Sequence, residues 1–364
     1  MKALSKSFAF SILFSISSMA IFVQPANATS QACQAWVQNV TNSLKSDQVV
    51  VERGNGEVLF DWADGAYKRN SPHALWSVSK TVTATIAAAA VQQGKIAMTD
   101  PLVKYVPASL RTRRSGRTNI EKIVLSDLMA MTSGFAWSEH PDDEAQKTSV
   151  LPMLYSEGYH NLPKYLMQTD FAAAPGRVWN YSSANATLLM AVLRKAYGAD
   201  YDDMPWNNLF KPLGMKSAHI EQDGTGNYMG ATNVFLSAQD MAKLGILYLN
   251  DGITKDGNRI LPVGWVDYAK QLVEPSTKAI HNRADYKHGG PYSKGSFWLN
   301  PSLRGIGKPY PHSPTNMLVA EGFMGQWIII LPEQNLVIAR TGHDGLTDSG
   351  VDETAAGAIA CFGK

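Results

Sequence analysis

Several familiar signatures of hydrolytic and nucleotide chemistry are missing from this chain. It contains no G-x-S-x-G, which excludes a strand-to-helix nucleophile elbow. It has no H-E-x-x-H, no Walker loop and no G-x-G-x-x-G, so neither a zinc protease nor a phosphate-cradling glycine loop is indicated. Its eight histidines are scattered without ligand spacing. His343-Asp344 reads as a loop pair rather than part of a Ser-His-Asp set, because adjacent residues rarely form one.

Charge of one sign is also lacking. The first 28 residues resemble a secretory leader: Lys2 and Lys6 precede an apolar run from Phe8 to Val23, and Pro25-Ala26-Asn27-Ala28 supplies a small-x-small cleavage pattern. Without those two lysines the 33 basic residues fall to 31, equal to the 31 acidic ones. A neutral mature chain has no electrostatic footprint for nucleic acid. The single basic cluster, Arg111, Arg113, Arg114 and Arg117, reads as a solvated loop. No other segment approaches the length of a membrane span, so the mature chain is expected in the periplasm or the medium with no stable membrane anchor.

Cysteine is scarce. Cys33 and Cys361 are the only two, near the two ends of the mature chain, and neither sits in a C-x-x-C. In an exported protein they are candidates for one disulfide joining the termini; two buried thiols is the other reading.

What is present is a core. Hydrophobic residues make up 45% of 364 and charged residues 18%, enough for one large domain, residues 29–364. "QACQAWVQNVTNSLKS" has helical spacing, and "QVVVERGNGEVLFDWA" places two β-rich runs around Gly54-Asn55-Gly56, a hairpin pattern. Residues 95–250 read mostly as helices. "TNMLVAEGFMGQWIIILPEQNLVIARTGH" then holds three β-rich runs, with breaks at 322–325 and 332–335, before a closing helix "VDETAAGAIACFG". Strands at both ends predict one sheet lobe from about 29–75 and 255–364, with a mostly helical lobe of about 95–250 inserted.

The stretch "LWSVSKTVTA", Leu75 to Ala84, runs into an alanine-rich helix that is small or apolar on nearly every side, which predicts burial all round. Ser77 and Lys80 lie three apart, on one face of that helix. Burial disfavours the charged ammonium, so Lys80 is a plausible general base for Ser77; Ser79 has no lysine three residues later. Alone the S-x-x-K pattern decides little, because about one match is expected by chance in a chain of this length. "PGRVWNYSSANATLL" adds Tyr181. A cationic lysine nearby would favour its phenolate and let it relay a proton; a packed loop aromatic is the competing reading. "AEGFMGQWIII" adds a glycine, Gly322, at which a substrate could lie close to the backbone, with exposed amides for an oxyanion.

Together, S-x-x-K, then Y-x-S, then a late glycine strand resemble the serine β-lactamase and penicillin-binding-protein superfamily. The branch most similar contains class C β-lactamases, their esterase relatives and 6-aminohexanoate-dimer hydrolase. "LMAMTSGFAW", "FKPLGM", "SAQDMAKLGILYLNDG" and "GNRILPVGWV" extend the likeness over most of residues 45–345. The resemblance implies an α/β, two-lobed fold: an antiparallel sheet flanked by helices plus a helical lobe, with the site between them. It implies that Ser77 is acylated, that Lys80 and Tyr181 move protons, and that the backbone N–H groups of Ser77 and Phe323 form the oxyanion hole. Ser183, Ala320, Glu321, Gly322 and Gln326 become the candidate substrate-binding residues, and no metal or organic cofactor is implied.

Two departures carry substrate information. Where β-lactamases and D,D-peptidases usually place Lys or His, two residues before the strand glycine, this chain has Ala320. Where they usually place Asn, two residues after the tyrosine, it has Ser183. A substrate carboxylate would lose a charge-assisted partner worth about 1.5–3 kcal/mol. The expected substrate is therefore a small ester or unactivated amide; a β-lactamase or D,D-carboxypeptidase and a non-catalytic binding module are the alternatives. Glu321 either favours a cationic substrate or forms an ion pair. Trp137, Tyr155, Tyr159, Trp298 and Gln326 are candidate pocket walls.

Overall fold

The computed structural model describes residues 31–110, 117–139, 149–281, 290–344 and 350–363. The leader, its cleavage site and Arg111, Arg113 and Arg114 lie outside the described residues.

The valine-, isoleucine- and leucine-rich runs become a six-stranded antiparallel sheet. Its order is Val58–Ala63, Ser46–Arg53, Leu336–Gly342, Gln326–Leu331, Leu318–Gly322 and Trp298–Leu299. The first two strands are the expected hairpin, with Gly56 in the left-handed region (φ 81°) that its turn requires. Every residue of Gln326–Leu331 and Leu336–Gly342 is buried. Burial at every position arises when both sheet faces are covered, because successive side chains point to opposite faces.

On one face Val49, Val51, Val319, Ile329 and Ile338 pack with the terminal helices Gln31–Gln38 and Val351–Phe362. Trp36 sits edge-on to Phe60 and Phe362, each 5.2 Å away between ring centres. Cys33 and Cys361 are bonded across the same two helices, with Cα atoms 4.9 Å apart. On the other face Val50, Ala320, Ile328, Ile330 and Ala339 join the larger core shared with the helical lobe.

Between the lobes runs the alanine-rich helix Val78–Gln92, thirteen of whose fifteen residues are buried. Its interior threonine hydroxyls are all satisfied: Thr81 donates to the Ser296 carbonyl and Thr83 to the Gly230 carbonyl, both at 2.7 Å, and Thr85 donates to Thr81 O. The helix therefore crosses the core without orphaned polar atoms along this face. It packs on the helix Ser183–Tyr197 and on the strand Leu318–Gly322. The region 95–250 is helical in shorter pieces than the sequence suggests. The helix Ala238–Leu249, read there with the helical lobe, packs against the central sheet. A small sheet of His73–Ala74, Val234–Leu236 and His219–Ile220 ties the approach to Ser77 to the helical lobe.

Candidate active site

Ser77 is the N-cap of the buried helix, where amide groups of the first turn have no intrahelical acceptor. The preceding residue, Trp76, has φ 48°, a left-handed conformation unusual for a bulky side chain. Its ring stands edge-on to Phe323, 5.4 Å away. Leu75 anchors the approach, its N–H donating to Val234 O at 2.9 Å.

One turn along, Lys80 is 1% exposed. Its Nζ donates to Ser77 Oγ at 3.1 Å and to the Ala231 carbonyl at 3.2 Å, and it lies 4.8 Å from the Tyr181 ring centre. Burial pulls the amine from its ordinary 10.5 down to about 8, against the opposing pull of the Glu139 carboxylate. A lysine so placed gives up its proton at mildly alkaline pH and can take one from Ser77. Ser79, by contrast, is wholly buried and its hydroxyl accepts the Val234 N–H at 3.2 Å, a structural role.

Tyr181 also hydrogen-bonds Ser77, so the Ser77 hydroxyl has both Lys80 and Tyr181 as partners. The expectation that Lys80 favours the phenolate is reversed in direction. Burial foremost, then Tyr292, Glu139 and Glu321, push the phenol well above its usual value; only the Ser77 hydrogen bond acts the other way. Tyr181 is thus a protonated donor at neutral pH. Its ring stacks on Trp298 (5.4 Å, 23°) and meets Tyr292 edge-on (5.9 Å, 85°), which fixes where the hydroxyl points.

Gly322 brings the sheet against the serine. A Cβ there would lie 2.3 Å from Leu75 O and 3.2 Å from Ser77 N. Only a bare backbone lets the strand edge and the helix start come this close. Gly322→Ala is expected to push the two apart, costing about 1–3 kcal/mol of stability and about 10²-fold in kcat/KM. Wild-type kinetics and thermal midpoint in that variant would refute the close-approach argument.

The remaining candidates divide. Ser183 is fully buried; its N–H and Oγ both donate to the Glu139 carboxylate, the latter at 3.0 Å, so its hydroxyl is committed within the protein. Gln326 is also buried. Its side-chain amide donates to Gly342 O (2.7 Å), Met324 O (3.2 Å) and Phe323 O (3.3 Å), holding the 323–325 loop rather than lining the cleft. Ala320 is buried in the inter-lobe core. Glu321, half-buried, is close enough to act on Tyr181. Of the candidate walls, Trp298 lies against Tyr181, whereas Trp137 is buried and donates to Glu139 at 2.7 Å. Tyr155 (70%) and Tyr159 (45%) are exposed on short surface helices.

Glu139 is the residue that sequence reasoning missed. It lies in an irregular loop with no periodic or motif signal, and only the fold brings it beside Ser183. Among the described residues no cluster of His, Cys, Asp and Glu could hold a metal.

The fold thus gathers a serine and a lysine of one buried helix, a tyrosine from a neighbouring helix start and a glycine strand edge at one place. The chain belongs to the Beta-lactamase family, whose model matches residues 34–360. It is 25% identical over 230 residues to the 6-aminohexanoate-dimer hydrolase of Paenarthrobacter ureafaciens, covering 61% of this chain and 56% of that protein. It is 30% identical over 140 residues to the D-alanyl-D-alanine-carboxypeptidase/endopeptidase AmpH of Escherichia coli (strain K12), covering 38% and 34%. The matches thus span about half or less of those relatives' lengths. A family VIII carboxylesterase crystal structure superposes with TM-score 0.68 at 13% identity, covering 93% of this chain and 98% of that one, which is a likeness of fold.

Proposed function

We propose that this protein is an exported serine hydrolase that cleaves an ester or unactivated amide through an acyl-enzyme on Ser77. The observation that carries the reading is the Lys80 amine, buried, lowered to about 8 and 3.1 Å from Ser77 Oγ. Neutral Lys80 takes the Ser77 proton as Oγ attacks the substrate carbonyl. The developing oxyanion is received by the Ser77 and Phe323 N–H groups. Tyr181 donates its proton to the departing alkoxide or amide nitrogen and is reprotonated by the Lys80 ammonium; water then gives a proton to neutral Lys80 as it attacks the acyl carbon, and that proton returns to Ser77 Oγ as the acid departs. Export is supported by the leader and by the bonded Cys33 and Cys361. The relatives include a hydrolase of an amide dimer, a carboxypeptidase and a carboxylesterase, and the ester or amide reading is ranked first because Ala320 leaves no cation for a substrate carboxylate.

The mature protein is expected to be labelled by a fluorophosphonate probe and to hydrolyse p-nitrophenyl esters or short amides, with Ser77→Ala abolishing both. Turnover of nitrocefin should be weak or absent. Efficient nitrocefin hydrolysis would promote the β-lactamase reading, and absence of any Ser77-dependent label or turnover would favour a binding module.

A further inference from the structure

A single carboxylate, Glu139, joins elements that the chemistry needs held together. Its Oε1 accepts the N–H of Ser183, the first residue of the helix Ser183–Tyr197, and the indole N–H of Trp137 at 2.7 Å. Its Oε2 accepts the Ser183 hydroxyl at 3.0 Å. Two residues before Ser183 is Tyr181, whose ring is packed against Trp298 and Tyr292 and lies 4.8 Å from Lys80 Nζ. A carboxylate at a helix N-terminus is favoured by the helix dipole and satisfies an orphan amide. Here that cap also lies at the catalytic cluster.

We infer that Glu139 is a positioning residue of the reaction, seating the Tyr181–Ser183 segment against Ser77 and bringing one carboxylate to the cluster that holds the Lys80 amine. The inference rests on the Ser77 hydrolase reading. Among the described residues, the titratable groups around this cluster come from every packed element. Lys80 is on the serine helix, Tyr181 precedes its neighbour, Tyr292 is beside the edge strand, and Glu321 is on the pocket strand. Glu139 acts on all three of the former: it draws the lysine toward its charged form and the two phenols toward their neutral forms. Whether the proton acceptor is Lys80 alone or shared with Tyr181, the sign is the same. Removing the carboxylate's charge lowers the pH at which the acceptor becomes free.

Glu139→Gln separates the charge from the cap, because the Gln carbonyl oxygen still accepts the Ser183 N–H. The pH dependence of kcat/KM is measured for the wild type, E139Q, E139D and Ser77→Ala with a p-nitrophenyl ester. In parallel, the side-chain signal of isotope-labelled Lys80 is titrated by NMR, assigned with Lys80→Met; this readout needs no turnover. E139Q is expected to move both the acid limb and the Lys80 midpoint down by about one pH unit, with an unchanged thermal midpoint, and E139D to restore the wild-type values. An unmoved Lys80 midpoint in folded E139Q overturns the inference and leaves Glu139 as a helix cap only. A moved midpoint without Ser77-dependent turnover in the wild type upholds the charge placement and instead defeats the hydrolase reading.

Discussion

Replacing Lys80 by Met is expected to lower kcat/KM for an ester by about 10²–10⁴-fold without unfolding the protein. The two effects diverge because the amine is valuable to the reaction and costly to the fold. Holding its affinity for protons from 10.5 down to about 8 corresponds to about 3 kcal/mol of native-state penalty at neutral pH. Met has similar length and no charge to bury. Against that gain stands the Ala231 carbonyl, which loses its partner at a cost of about 1–3 kcal/mol. Stability at neutral pH should therefore be equal to the wild type or higher.

The pH dependence gives a sharper signature. Below pH 8 both native and unfolded Lys80 carry the proton, and the penalty is fully present. Between about 8 and 10.5 the native state has released it while the unfolded chain still holds it, so wild-type stability climbs with pH in that window. The Met variant should lack this climb. Urea unfolding at several pH values, paired with ester kinetics, checks both halves; a strongly destabilised or fully active variant would refute the assignment of Lys80 as the base.

The largest loss of stability is expected at Arg340, in the strand Leu336–Gly342. Its side chain is 0% exposed, and its guanidinium lies 4.3 Å over the Trp327 ring. It donates to Ser46 Oγ (2.6 Å), Gly325 O (2.8 Å), Asp344 Oδ2 (2.8 Å), Asp344 Oδ1 and the Leu44 carbonyl. Removing one member of a buried ion pair leaves the other charge and the carbonyls without partners, which costs about 3–5 kcal/mol. Arg340→Met keeps the stem over Trp327 and isolates that electrostatic loss. The effect should also reach the site, because Gly325 belongs to the loop that follows Phe323. Equilibrium unfolding should show the midpoint fall, and kcat should fall in the fraction that remains folded. A loss under about 1 kcal/mol would mean that water replaces the guanidinium.

Much of this was legible in residue order. The length and the isoleucine- and valine-rich composition of "QWIIIL" and "LVIARTG" pointed to two strands of the sheet. The alanine run after Lys80 foretold a helix buried all round, and the three-residue spacing put Ser77 and Lys80 on one face. Glycine at 322 reads as room for a substrate beside the backbone; in the structure the close approach there is that of Leu75 O and Ser77 N.

Local pattern could not say what each polar side chain touches. Ser183 and Gln326 looked available for substrate and instead hydrogen-bond inside the protein. Arg340 read as one polar residue in a strand and became the hub between two termini and a loop. Glu139 carried no signal at all. Protonation belongs to the same class of question. Spacing can bring a lysine to a serine, but the neutral phenol of Tyr181 is set by burial among Trp298, Tyr292 and carboxylates from distant segments. Desolvation and long-range charge depend on which remote residues pack together, and only the tertiary structure decides that.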